Sequence, residues 1–398
     1  MSEDFITNFI EATEFVFSPE PFKLWTAISL VGAAVERRAW VKTGYYETFP
    51  NMYIWLVAAP GVGKQIIDFA RGMVSTLPDK PLKPSPHSVT KASLMDALAA
   101  AAGRVIPPSG LPIIYHSLYV MTEEIQLFMP AYDADFLGVL NYVYNNPGQP
   151  VTENRRTGSV RELSIERAQL NLLAGVQPGW MAGTLPELAW ATGLMARVLM
   201  VYVEDKPIYD FFSTPEQQIR APQGLIKDML GLTKRYGELE WAPDAREKIR
   251  RWNLAGGPPA PTHSKLTHYS NRRTMHLIKL SLVSALSRGQ EKLVELIDLD
   301  RAMTWLFEAE RTMPDIFRAM TGRSDHSVME ELHAFMVGMW GMNKKPLHER
   351  SLISFLTKHV PAEKIEKILS MAERANFIER VAGTDTYLPK AGMGKGVE

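Results

Sequence analysis

Gly61, Gly63 and Lys64 fall in the run 52–69, MYIWLVAAPGVGKQIIDF. An uncharged apolar stretch (52–58) meets a glycine-bearing turn, then a lysine, then a helix-like segment. That order suits the holding of a polyphosphate. Backbone N–H groups of the turn and the positive end of the helix face the anion, and the lysine adds a mobile charge. The candidate phosphate-contacting residues are Pro60, Gly61, Val62, Gly63, Lys64 and Gln65. The full pattern G-x-x-x-x-G-K-[ST] is incomplete here. Ala58 stands for the first glycine and Gln65 for the hydroxyl residue. A strand-to-helix turn that merely carries a lysine at its helix start has the same appearance.

Three further groups have side chains suited to the same chemistry. The run 118–124, LYVMTEE, is a hydrophobic strand ending in two acids. Glu123 suits the metal side, through water, and Glu124 suits polarising the attacking water; a solvated loop after a strand reads the same way. The run 170–177, NLLAGVQ preceded by Leu170, ends on Gln177, which suits contact with a terminal phosphate or serves as a strand-end glutamine before Pro178. Arg197 enters the otherwise apolar stretch 193–202. A guanidinium there either pairs with a buried carboxylate or reaches a nucleotide.

Elements that position these residues follow from apolar patterning. Residues 1–48 carry helical spacing, punctuated by Pro19 and Pro21, and lead through Glu36-Arg37-Arg38 into a short strand over 39–44. Residues 49–206 contain four apolar, strand-length runs (52–58, 117–121, 170–176 and 198–203) separated by helix-like segments over 90–101 and 135–144. Thr90 is the expected N-cap of the first. Buried strands alternating with helices imply an α/β fold with a mostly parallel sheet, whose ligands sit at the carboxyl ends of the strands. Residues 207–322 show helical spacing over 225–236, 245–252, 269–286 and 298–320 and are expected to be all-α. Residues 323–390 read as three helices (327–340, 348–359, 361–375) followed by a two-stranded ribbon, which suggests a winged-helix-like domain. The tail 391–398 is rich in glycine and lysine and is expected to fray.

Composition narrows the classes of function. The 398-residue chain is 46% hydrophobic and 22% charged, the balance of a soluble globular protein large enough for two or three domains. Lysine plus arginine equals aspartate plus glutamate at 44, so any nucleic-acid surface has to be a local patch. Cysteine is absent, which excludes disulfides, thiolate metal sites and cysteine nucleophiles. The acidic start, MSEDFITNF, has no signal-peptide pattern, and no apolar run reaches the ~20 residues of a membrane span. A cytoplasmic protein without a membrane partner is the expectation. Nine histidines lack H-x-x-x-H or H-E-x-x-H spacing, which argues against a protein-bound transition metal.

Local basic groups are the candidates for DNA contact. Arg155 and Arg156 lie in a polar segment between strands and suit phosphate contact, or a solvated charged loop. Lys344 and Lys345 open a basic stretch of the C-terminal domain that Glu349, Glu363 and Glu366 dilute, so a protein-contact module is equally compatible. Arg272, Arg273, His276 and Lys279 make a basic helical face.

The order of GVGK, TEE, the NLLAG-x-Q-P strand and G-x-x-x-R-V-L-M-V-Y resembles a family of phage and prophage ATPases, helicase-like P-loop proteins of replication modules. Tyr269-x-x-Arg272-x-x-x-His276-x-x-Lys279-Leu280 and Phe307-Glu308-x-Glu310-x-x-Met313 extend the resemblance, which runs over about residues 20–320. It implies a P-loop NTPase core of RecA/AAA+ type, ATP with Mg²⁺, and a homo-oligomeric ring or filament, hexameric in one form, with sites between subunits. DNA, single- or double-stranded, is the implied track, with other replication proteins as partners in a bacterial host cytoplasm. By position it makes Lys64 the phosphate ligand, Glu123 and Glu124 the metal and water residues, Gln177 the γ-phosphate sensor and Arg197 the finger or sensor. Gln65 removes one inner-shell oxygen from Mg²⁺, which bears on hydrolysis more than on binding. Two other functions fit the same residues: a non-hydrolysing DNA-binding or scaffold protein, and a helicase loader.

Overall fold

The computed structural model describes residues 4–86, 88–129, 133–154, 162–185, 189–190, 193–208, 222–320, 325–357, 360 and 362–390. The chain divides into two compact units, Met1–Met320 and Thr321–Glu398.

A five-stranded sheet organises the first unit. It contains β3 (Tyr53–Val57), β4 (Ala102–Val105), β5 (Ile113–Thr122), β8 (Ala168–Val176) and β9 (Val198–Tyr202) in the order β4-β5-β8-β3-β9. The four apolar runs of the sequence are its four parallel strands, and β4 closes one edge antiparallel to β5. Every residue of β3 and β8 is buried, as expected of parallel strands covered on both faces. The cover includes α2 (Glu20–Val35), α3 (Ile66–Ser75), α11 (Arg273–Ser287) and α12 (Leu296–Met320). Gly32 of α2 lets that helix close on the chain entering β3: a Cβ there would lie 2.5 Å from the Pro50 carbonyl oxygen.

Helix starts follow local chemistry. Thr90 caps α4 (Lys91–Ala100) through a reciprocal box with Ser93, and Asp133 caps α6 (Ala134–Tyr144) by accepting from Asp135 and Phe136.

Residues 207–322 are not all-α, which corrects the expectation. Besides α8 (Pro222–Leu232), α9 (Pro243–Leu254), α10 (Thr267–Ser270), α11 and α12, they contain β10 (Gly237–Trp241) and β11 (Leu293–Val294). These join β1 (Ala39–Thr43) and β2 (Tyr46–Thr48) in a second sheet ordered β11-β10-β1-β2. β10 reads GELEW, and two glutamates, poor strand formers, conceal its single buried Leu239. Parallel pairing with β1 decides its conformation, with Glu238 against Lys42.

A hairpin of β6 (Val151–Asn154) and β7 (Glu162–Ile165) completes the strands of this unit. Arg155 and Arg156 belong to its connection and lie outside the described residues.

The second unit has its own core, around Val328, Leu332, Met336, Leu352, Ile368 and Ile378. Its helices α13 (Asp325–Asn343), α14 (Glu349–Leu356) and α15 (Ala362–Arg374) match the three expected. β13 (Ile378–Arg380) and β14 (Thr386–Pro389) form the expected ribbon, and β12 (Leu347–His348) adds a third strand to it. Lys344 and Lys345 are exposed in the turn before β12, Lys344 with a φ of 49°.

Among the described residues, no helix is long and apolar enough to cross a membrane.

Candidate phosphate site at the carboxyl end of the sheet

Lys64, Glu123, Glu124 and Gln177 meet because β3, β8 and β5 are consecutive neighbours ending at one level. Val57 pairs with Val176, and Thr122 pairs with Ala174. The segment 58–65 leaves β3 and turns into α3 with two glycines at positive φ, Gly61 at 79° and Gly63 at 112°. Gly63 has no room for a side chain either: a Cβ would lie 2.4 Å from the Phe17 carbonyl oxygen. The Ser18 hydroxyl donates to the Gly63 carbonyl and fixes that contact. The turn therefore has its shape before any ligand arrives.

Backbone N–H groups of Gly61, Val62, Gly63, Lys64 and Gln65 find no acceptor among the described residues. Orphan donors at a helix start are satisfied by water, by a capping side chain or by a ligand. Gln65, at the cap position of α3, supplies no side-chain cap. Consecutive free donors at the positive end of a ten-residue helix are the arrangement an anion selects.

Lys64 is 8% exposed and folds over the loop, its Nζ 3.4 Å from the Ala58 carbonyl oxygen and 3.5 Å from that of Val176. These are long contacts, easily exchanged. Burial holds its amine below the ordinary lysine value, and Glu124 and Glu123 pull it back up. Gly175 creates the space for the lysine stem, because a Cβ there would meet the Glu123 carbonyl oxygen at 2.1 Å and Lys64 Cδ at 3.0 Å.

The two acids differ in their partners. Gln177 Nε2 donates to both carboxylate oxygens of Glu124, at 3.1 and 3.2 Å, and Thr122 Oγ1 closes the turn by bonding the Glu124 backbone. The Glu123 carboxyl is pushed up by burial first, then by Asp68 and Glu124, with Lys64 opposing. Arg71 of α3 donates to the Met121 and Ser85 carbonyls and ties the helix to the acid-bearing strand.

Sequence reading missed Ser18, Asp68 and Gly175. Asp68 had a signal, as the acid in the first turn of the helix that follows Lys64. Ser18 and Gly175 had none, because their roles come from contacts between distant segments.

Arg197 is not brought to this site. It precedes β9, at the amino end of the sheet, while Lys64 follows the carboxyl end of β3, to which β9 is paired from Tyr53–Val198 to Val57–Tyr202. Its Nη1 donates to the Gly193 carbonyl at 2.7 Å, and no carboxylate pairs with it among the described residues. Neither role open to it in the sequence is filled within one chain. Reaching a neighbouring subunit's nucleotide would require the Gly193 bond to be exchanged. The basic face 272–279 also divides: Arg273 makes a buried ion pair with Glu310, Nε to Oε1 and Nη2 to Oε2 both at 2.6 Å, while Arg272 and Lys279 turn towards the amino end of the sheet.

The residues present fit a polyphosphate through the free N–H groups and Lys64. For Mg²⁺, no cluster of three or more potential protein ligands exists among the described residues. That ion commonly uses one or two carboxylates with phosphate oxygens and water, a role open to Glu123. No family model matches the chain, and no curated protein matches it.

Proposed function

We propose that the chain is an ATP-binding, helicase-like DNA motor or remodeller of phage or prophage replication, acting as a homo-oligomer. The observation that carries this reading is the run of unpartnered N–H groups from Gly61 to Gln65 with Lys64 folded beside it. ATP with Mg²⁺ would supply the phosphoanhydride bond and the charge neutralisation at its oxygens. Lys64 exchanges its long carbonyl contacts for phosphate oxygens. Gln177 turns its amide from Glu124 towards the terminal phosphate, which frees the Glu124 carboxylate to take a proton from water. Glu123 is the carboxylate that would hold the metal. Lys344, Lys345 and the winged-helix-like second unit contact DNA in this reading, with Arg155 and Arg156.

A second reading, nucleotide or DNA binding without turnover, draws on Gln65, which brings no hydroxyl to the metal. Nucleotide affinity and hydrolysis, with and without single-stranded DNA, separate the two. Lys64→Ala is expected to lower ATP affinity at least thirtyfold, about 2 kcal/mol for a lost charged hydrogen bond. Glu124→Gln is expected to keep affinity and reduce turnover by about 10²–10⁴, the size of a general-base contribution. Equal ATP affinity in wild type and Lys64→Ala removes the motor reading. Binding without turnover in the wild type selects the second.

A further inference from the structure

The amino end of the same sheet gathers cations that outnumber the acids beside them among the described residues, with Glu47 acting on Arg37. Lys279 is 2% exposed, and its Nζ donates to the carbonyl and side-chain oxygens of Asn51, both at 2.8 Å, while lying 4.0 Å from the Tyr144 ring centroid. The Arg272 guanidinium donates only to Asn145 among the described residues, at 3.4 Å. Arg37 donates to the Pro147 and Ala168 carbonyls. None of the three has a carboxylate partner among the described residues. Arg272 and Arg197 both act to depress the buried Lys279 amine further, and no acid opposes them. Buried charges are ordinarily paired. Burial is relieved at such a group by proton loss at the lysine or by an anion, and an anion is the route open to the always-charged arginines.

An open cleft gives access to it. About 500 Å³ in volume, it is lined by Arg37, Lys42, Arg272, Lys279 and Tyr144, with Glu47 as its only acid among the described residues; Lys42 is already paired with Glu238. The Tyr144 hydroxyl, on a residue 1% exposed, is buried without a partner. At the rim, the β1–β2 hairpin holds Tyr45 and Tyr46 at 95% and 74% exposure. Their rings pack against each other edge to face, 5.9 Å apart, and remain open to solvent. Two tyrosines so exposed beside a cationic cleft combine the two features that bind a single strand: phosphate neutralisation and ring faces for unpaired bases.

We propose that this cleft binds single-stranded nucleic acid, seating a backbone phosphate on Arg272 above the buried Lys279 and stacking a base on the Tyr45–Tyr46 hairpin. A second cleft of about 340 Å³ shares Arg37, Glu47, Phe49 and Gly148 with the first and adds Arg167, so the strand runs on from Arg272 past Arg37 towards Arg167. Duplex DNA is excluded from the stacking contact because its bases are already stacked on one another. The proposal deepens the DNA-binding half of the proposed function and is independent of ATP at Lys64.

Fluorescence anisotropy of a labelled 20-residue oligothymidylate with the full chain, without nucleotide, tests it. Tyr45 and Tyr46 are on the surface, so their replacement leaves folding intact. Tyr45→Ala and Tyr46→Ala together are expected to weaken binding about five- to a hundredfold, the range for one stacked base. Arg272→Ala is expected to weaken it and to lower the slope of log affinity against log salt by about one phosphate contact. Lys64→Ala is expected to bind the oligonucleotide as the wild type does. Unchanged affinity in the tyrosine and Arg272 variants overturns the proposal. So does equal affinity for a duplex of the same length, or displacement of the oligonucleotide by inorganic phosphate as efficient as by unlabelled strand. A wild type that binds ATP and not the oligonucleotide overturns it while leaving the phosphate site standing; the converse result sustains it and removes the motor.

Discussion

The two ends of the central sheet solve the burial of a lysine in opposite ways. At the carboxyl end, Lys64 faces Glu123 and Glu124, and its contacts to the Ala58 and Val176 carbonyls are long. At the amino end, Lys279 is held at 2.8 Å by Asn51 and faces only other cations. A mixed cluster can bind and release charge with little change in net field, which suits a site that turns over. An all-cation cluster keeps a standing positive field, which suits a site that holds a polyanion. The Arg273–Glu310 pair lies nearby and gives the measure of what a purely structural arginine looks like here: buried, bidentate and neutralised.

That measure yields the largest effect. Glu310→Ala leaves Arg273 charged and unpaired in the core, and unfolding in urea is expected to show a loss of about 3–5 kcal/mol. A loss below 1 kcal/mol would erase the distinction between paired and unpaired cations.

Next comes Glu36, beside the amino end, where Tyr115 donates to its carboxylate at 2.6 Å and Arg38 lies 3.4 Å away. Burial pushes this carboxyl from its ordinary 4.5 up to about 7, against the pull of Arg38 and Tyr115. The folded protein therefore binds the proton more tightly than the unfolded chain. The penalty is absent below pH 4.5, grows as the pH rises through that window and is complete above about 7. Glu36→Gln is expected to gain on the order of 3 kcal/mol over wild type at pH 8, and the gap should vanish near pH 4. A gap that ignores pH would mean that Arg38 and Tyr115 fully offset the burial of the acid.

At the other end, Gly63→Ala meets the Phe17 carbonyl oxygen at 2.4 Å and a φ of 112°. A cost of about 1–3 kcal/mol is expected in thermal unfolding, and the ATP affinity proposed for this turn is expected to be lost alongside. Full retention of both would mean the turn adapts and is not preformed. The smallest effect belongs to Lys279→Met, expected within about 1 kcal/mol of wild type because removing an unneutralised buried charge offsets the lost Asn51 bonds. Strong destabilisation would make Lys279 a structural residue like Arg273.

Much of the carboxyl-end site was legible because its parts are local. β3, the glycine turn, Lys64 and the start of α3 are contiguous, and each acid or amide ends its own apolar run. The order β5-β8-β3 was not written there, yet it is what puts Gln177 beside both Lys64 and Glu124. β10 was illegible for a different reason. GELEW has one buried residue, and only the facing β1 makes it a strand. The amino-end cluster was the least legible of all. Arg37, Arg197 and the pair Arg272 and Lys279 come from three separate segments, and the basic face seen at 272–279 gave no hint that Arg273 alone would find an acid.

The sequence by itself determined the elements whose cause is short-range: buried strands from uncharged β-rich runs, a helix start from Thr90, and a turn that only glycines can make at 61 and 63. Tertiary structure alone decided which charges meet. Pairing depends on strand order and helix docking over separations such as the 228 residues between Asn51 and Lys279, and no local pattern encodes the absence of a carboxylate across that distance.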